Sequence, residues 1–143
     1  MALHARSNVA PKPPLVLVVD DYEDTRELYA EYLDFSGYRA QTAADGREAV
    51  RRALRGNPSV IVMDLAMPIL DGWEATRILR ADPRTKHIPI VVLTGHAEPT
   101  QRQRARDCGA TAVLTKPLAP RELVAVLQQV LGGGGAKNDV MGA

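Results

Sequence analysis

Three short runs of β-branched and aliphatic residues each end in a polar group capable of chemistry. Leu15-Val16-Leu17-Val18-Val19 runs into Asp20-Asp21, Val60-Ile61-Val62-Met63 into Asp64, and Ile90-Val91-Val92-Leu93 into Thr94. A weaker run, Ala112-Val113-Leu114-Thr115, leads into Lys116-Pro117. The first three carry no polar residue to turn toward water, so they fit the interior of a parallel sheet covered on both faces. As parallel neighbours, their carboxyl ends would gather three acids, a hydroxyl and an ammonium at one edge, where open α/β sheets bind ligands.

Helical patterns separate the runs. Asp24 to Ser36 places Thr25, Leu28, Tyr29, Tyr32 and Leu33 on one face, with Asp24 and Glu27 spaced as a capping box and Gly37 as a stop. Tyr38 to Thr42 is a short strand candidate. Asp45 opens a second helix with Ala49, Val50, Ala53 and Leu54 on one face, closed by Gly56-Asn57-Pro58. Asp71 and Glu74 repeat the cap spacing before a helix carrying Ile78 and Leu79, which Asp82-Pro83 ends. Pro89 suits the start of a strand, where a missing donor is tolerated. Pro99 and Pro120 suit the first turns of two further helices. The fourth helix stops at Cys108-Gly109, and the fifth turns Leu123, Val124, Leu127, Val130 and Leu131 inward. Five β-α units with right-handed crossovers predict an α/β flavodoxin-like (βα)5 fold, a doubly wound five-stranded parallel sheet of order 2-1-3-4-5. That order sets the first and third strands side by side, so Asp20, Asp21 and Asp64 meet at the switch point.

The chain has 143 residues, enough for one domain with a proper core. Its net charge of +1 supplies no bulk attraction for nucleic acid or an anionic membrane. The lone Cys108 fits a reducing compartment, and no apolar stretch has the length of a membrane span or the pattern of a signal peptide. The expectation is a cytoplasmic domain over 15–131, between a disordered arm at 1–14 and a flexible Gly-rich tail at 132–143.

Three carboxylates within a few ångströms repel one another and should not all ionise without a cation. A hard divalent ion such as Mg²⁺, with Mn²⁺ as an alternative, solves that problem. Helix capping is an adequate reading of Asp24, Asp45 and Asp71, but a poor one for Asp20-Asp21 with Asp64, because Thr94 and Lys116 would then be coincidental. A haloacid-dehalogenase-type phosphatase needs a second acid two positions after its nucleophile, where Tyr22 and Ala66 stand here. A flavin-binding protein needs a hydroxyl-rich phosphate loop after the first strand, where Asp20-Asp21-Tyr22-Glu23-Asp24 would repel a phosphate.

Taken together, Asp20-Asp21, Asp64 with Met67-Pro68 and Asp71-Gly72 behind it, Thr94-Gly95 and Lys116-Pro117 resemble the receiver domains of bacterial two-component response regulators. The resemblance covers roughly Leu15 to Leu131. It implies that Asp64 accepts a phosphoryl group from a histidine kinase or a histidine phosphotransfer protein. It further implies that Asp21, Asp64 and the backbone carbonyl of Ala66 bind Mg²⁺ directly, with Asp20 acting mainly through water. Lys116 would neutralise charge on the transferring group, and a cis Lys116-Pro117 bond would aim it into the site. Thr94 would donate its hydroxyl to a phosphoryl oxygen, and Gly95 would leave the pocket open. The implied domain is not a turnover enzyme, catalysing only its own phosphorylation and dephosphorylation. Its implied output is a changed helix 4-strand 5-helix 5 surface offered to an unidentified output protein or a weak dimer, with no direct contact to nucleic acid or membrane. The alternative is a phosphorylation-independent interaction module, a pseudo-receiver that merely keeps the acidic pocket.

The chain departs from the family at one position, and two further features bear on its switch and its phosphoryl lifetime. An aromatic residue often stands three positions before the lysine and swings inward with the threonine; here that position is Val113, leaving Thr94, the loop to Glu98 and helix four as the switch. Helix four is polar, with only Ala105 and Cys108 for the core, while Arg102 and Arg106 share a face as solvated arginines or a patch for an acidic partner. Ala66 and His96 occupy the two places that flank the hydrolytic water, and Ala66 offers no hydrogen bond to orient it. Trp73, at the start of helix three, is expected to pack.

Overall fold

A computed structural model describes residues 12–67, 69–95 and 98–132. Its elements alternate strictly: β1 Leu15–Val19, α1 Glu23–Phe35, β2 Arg39–Ala43, α2 Gly46–Gly56, β3 Val60–Asp64, α3 Gly72–Ala81, β4 Ile90–Thr94, α4 Pro99–Cys108, β5 Ala112–Thr115 and α5 Pro120–Gly132. Five parallel strands form one sheet in the order β2-β1-β3-β4-β5. The expected flavodoxin-like architecture and strand order are therefore found. Residues 1–11 and 133–143, most of the expected arm and tail, lie outside the described residues; Gly132, expected to begin the tail, closes α5.

Every residue of β1, β3 and β4 is buried, as a sheet covered on both faces requires. The alternation of side chains divides the core in two. Leu17, Val19, Ile61, Met63, Ile90 and Val92 pack with Ala49 and Ala53 of α2, Ala75 and Leu79 of α3 and Ala105 of α4. Val16, Val18, Val60, Val62, Val91 and Leu93 pack with Tyr29 and Leu33 of α1 and Leu123, Val126 and Leu127 of α5. Each large aliphatic side chain so enclosed contributes about 1.5–3 kcal/mol. Val126 widens the α5 face because it is buried against the sheet.

Local signals mostly hold. Asp45 and Asp71 each accept a hydrogen bond from the N–H three residues on, Glu48 and Glu74, at 2.8 and 2.9 Å. Gly37 and Gly109 have the positive φ of helix stops, and Asn57 closes α2 in the left-handed region. Several expectations need correction. Asp24 and Glu27 form no capping box: α1 begins at Glu23 behind Tyr22, whose N–H donates to Asp20 Oδ1 at 2.9 Å, so the turn is organised by an acid already needed at the strand end. The second strand is shifted one residue along, to Arg39–Ala43. Leu28 and Ile78, placed on inward faces, are 54% and 38% exposed.

Polar stitching supplements the core at the amino edge of the sheet. Arg80, from the last turn of α3, donates through Nε to the Gly109 carbonyl at 2.8 Å and through Nη1 to those of Lys86 and Ile88 at 2.9 and 2.6 Å. Its Nη2 reaches Thr111 Oγ1 at 3.3 Å. One guanidinium thus ties α3 to the loops that lead into β4 and β5. Arg80→Ala should lower unfolding stability by about 2 kcal/mol, since charge-assisted bonds to partly buried carbonyls are lost together. Urea denaturation checks this: the midpoint should fall at unchanged slope, and a midpoint equal to the parent's would show that water replaces the guanidinium without cost.

Candidate functional site

The strand order carries the polar ends of four runs to one place. Asp64 is the last residue of β3 and Thr94 the last of β4, while Asp20 and Lys116 directly follow β1 and β5. Asp20 is 2% and Asp64 4% exposed; Thr94 is buried and Asp21 exposed. Carboxylate oxygens of Asp20, Asp21 and Asp64 lie within 4.8 Å of one another. Lys116 Nζ stands 3.3 Å from Asp64 Oδ2, and the Lys116 N–H donates to the Thr94 carbonyl at 2.8 Å. The Lys116-Pro117 peptide bond is cis. Asp64 Oδ1 accepts from the Ala66 N–H at 3.3 Å.

These acids are poorly compensated. Asp20 Oδ2 is buried without a hydrogen-bond partner, a costly state for a carboxylate unless a cation faces it. Burial pushes the Asp64 carboxyl above its ordinary value; Lys116 opposes that rise, Asp20 adds to it, and the Ala66 N–H opposes it. An orphaned buried oxygen beside three convergent carboxylates is a donor set fitted to a hard divalent cation with oxygen ligands.

Further residues hold the acids in place, though the sequence pattern did not single them out for that task. Arg26 donates from α1 to the Asp20 carbonyl at 3.0 Å. Tyr29, expected only as a core residue, donates its hydroxyl to the Leu118 carbonyl at 2.8 Å and so anchors the turn after Lys116. Burial, then the charges of Asp20, Asp64 and Glu122, raises its phenol above the ordinary range. Gly72 packs its Cα against the backbone of Asp64 and Leu65, where a Cβ would collide with the Asp64 carbonyl. The motif contained Gly72, but only the folded chain reveals this contact.

Val113 is buried in β5. Arg102 is not a solvated arginine: it donates through Nη1 to the Val113 carbonyl and through Nη2 to Thr115 Oγ1, both at 3.1 Å. A polar strap therefore joins α4 to β5 beside the position that lacks a ring. Arg106 is exposed and does not share that strap. Pro68 and His96 lie outside the described residues; Ala66 is exposed, and Gly95 lines the cavity above Asp64.

Comparison with known proteins agrees with this geometry. Residues 16–128 match the family described as the response regulator receiver domain. The chain is 40% identical over 119 residues to the response regulator MprA of Mycolicibacterium vanbaalenii, covering 83% of this chain and 51% of that protein. The chain thus spans about half the length of that curated relative. The chemotaxis response regulator CheY4 of Vibrio cholerae superposes with a TM-score of 0.79 at 38% identity, covering 83% of this chain and 99% of that one. The receiver domain of the sensor histidine kinase PA1611 of Pseudomonas aeruginosa, solved with a magnesium ion coordinated in its active-site cleft, gives 0.78 at 35% identity, with coverages of 85% and 99%. A parallel sheet of this order, with acids at the ends of β1 and β3 and a lysine after β5, defines the receiver class of two-component signalling proteins. This chain belongs to the response regulator receiver domain family.

The raised Asp64 carboxyl has a consequence for stability. The folded protein holds that proton more tightly than the unfolded chain, so ionising Asp64 costs stability once pH rises above the ordinary carboxylate range. Below that range the cost disappears. Without added metal, Asp64→Asn should therefore unfold at a higher urea concentration than the parent at neutral pH, with the lead shrinking as the medium is acidified. A lead independent of pH would mean that the gain does not come from ionisation, and no lead at neutral pH that the Lys116 ion pair offsets burial.

Proposed function

We propose that this receiver domain is a Mg²⁺-dependent phosphoacceptor switch in a two-component phosphorelay, with Asp64 as the acceptor. One observation carries the reading: Asp64 combines a carboxylate oxygen facing Lys116 with convergence on Asp20 and Asp21, one of whose oxygens is buried and unpartnered. A carboxylate at such a junction is placed to attack phosphorus between two sources of positive charge.

The donor is the phosphohistidine of a sensor histidine kinase or a histidine phosphotransfer protein. An Asp64 oxygen forms a new bond to phosphorus as the P–N bond breaks; the electron pair departs with the imidazole, which ends protonated. Lys116 offsets the negative charge spread over the phosphoryl oxygens, so positioning and electrostatics carry most of the catalysis. Asp21, Asp64 and the Ala66 carbonyl would hold Mg²⁺ or Mn²⁺, with Asp20 acting through water. The bound ion supplies charge neutralisation between the carboxylates and the phosphoryl group.

The readout is electrostatic and then mechanical. Thr94 donates its hydroxyl to a phosphoryl oxygen, and Gly95 leaves room for that group. The movement passes into α4, β5 and α5 without an aromatic swing at Val113, the Arg102 strap being the link between α4 and β5. The changed surface binds an output protein or a second copy of the domain. The domain serves no external substrate, and the retention of all five chemical groups favours this reading over a phosphorylation-independent module.

Acetyl phosphate with Mg²⁺, followed by intact-mass spectrometry, tests the assignment. The parent should gain one phosphoryl group and Asp64→Asn none; labelling of the variant, or none of the parent, would overturn it. A second measurement addresses lifetime. Ala66 carries no group to align the hydrolytic water, so Ala66→Asn should shorten the phosphoryl lifetime several-fold. Equal or faster decay in the parent would show that Ala66 does not limit hydrolysis.

A further inference from the structure

A pair of side chains from two helices forms a wall of the acceptor cavity. The guanidinium carbon of Arg104, midway along α4, lies 4.0 Å from the ring centroid of Trp73, in the first turn of α3. Both side chains line the cavity that holds Asp64, Thr94 and Lys116. Arg104 makes no hydrogen bond or ion pair with any of the described residues; the indole is its contact. Trp73 is thus both partly packed against the core and exposed to the cavity.

Stacking holds a guanidinium by its face and leaves the N–H groups at its edge free. Those edge donors match the oxygens of a phosphate in spacing and charge. The other cation of the cavity, Lys116, already faces Asp64 at 3.3 Å. An incoming phosphoryl donor brings further negative charge to a place that holds three acids; a divalent ion and one ammonium balance the acids alone, so the donor's own charge is left undercompensated. Ala66, with only a methyl group, puts no long side chain between Asp64 and the stacked pair.

We propose that Arg104 is a donor-binding residue of this domain and Trp73 the positioning residue that holds it. The free N–H groups of Arg104 engage the phosphate oxygens of the donor at the mouth of the cavity and turn phosphorus toward Asp64. This rests on Asp64 being the phosphoacceptor. With acetyl phosphate, the P–O bond to the acetyl group breaks, acetate departs with the electron pair, and the bond from Asp64 to phosphorus forms. Arg104 neither gives nor takes a proton, so its contribution is one of charge and orientation.

The test is the rate of labelling by acetyl phosphate at saturating Mg²⁺, followed by intact mass at low and high ionic strength. The apparent second-order rate constant should fall about two- to fivefold in Arg104→Gln, the range expected for one exposed charge near the reacting group. Arg104→Lys should keep part of the rate. Trp73→Ala should behave like Arg104→Gln, and Trp73→Phe, which restores a ring, should recover most of the loss. Salt should slow the parent more than it slows Arg104→Gln, because screening acts only on charge that is present. Equal rate constants in parent and Arg104→Gln, or equal salt sensitivity, would overturn the proposal while leaving Asp64 as the acceptor. So would a loss in Trp73→Ala without one in Arg104→Gln, since the ring would then act alone. A parent that takes no label would defeat the phosphoacceptor reading and this one with it.

Discussion

Crowded negative charge at the carboxyl edge of a parallel sheet is the constraint around which the molecule is arranged. Two unit charges about 4 Å apart interact by about 4 kcal/mol where the effective dielectric constant is about 20. Asp20, Asp21 and Asp64 converge to within 4.8 Å, and Lys116 Nζ is 3.3 Å from Asp64. Burial, first of all, displaces the Asp64 carboxyl upward; Lys116 opposes that rise and the charge of Asp20 adds to it. Fully buried β1, β3 and β4 hold the acids together against that cost. A site that gathers charge in this way is one a hard cation would relieve, since only added positive charge offsets what the fold imposes.

The two faces of the sheet do different work. α1 and α5 close one face with large aliphatic side chains and with Tyr29, whose hydroxyl ties down the turn after Lys116. On the other face α4 buries only Ala105 and is held largely by polar contacts: the Arg102 bonds to β5 and the stacking of Arg104 on Trp73. An element with few apolar anchors sits at the low end of local stability, where conformational switching is least costly. Dense apolar packing under the acids and sparse packing of α4 thus follow from where the apolar residues lie.

The strand runs, the acid pair, Asp64, Thr94 and Lys116 were legible in the chain because buried parallel strands demand continuous apolar segments and their ends stand out by contrast. Helix ends were legible where one side chain meets one nearby N–H, as at Asp45 and Asp71. The same spacing at Asp24 and Glu27 misled, because Asp20 had already organised that turn. Leu28 and Ile78 follow a helical period yet face outward, since period says which residues share a face but not how wide the buried part of that face is.

What the sequence determined by itself was the alternation of strands and helices and the chemistry that each strand end would carry, both properties of short windows. Tertiary structure alone decided how separated groups meet. It set Arg102 against β5, Arg80 among three loop carbonyls, Gly72 under the Asp64 backbone and Arg104 on the indole of Trp73. Long side chains such as arginine reach across elements, and their partners depend on helix pose and packing distance. No local pattern of residues encodes those two quantities.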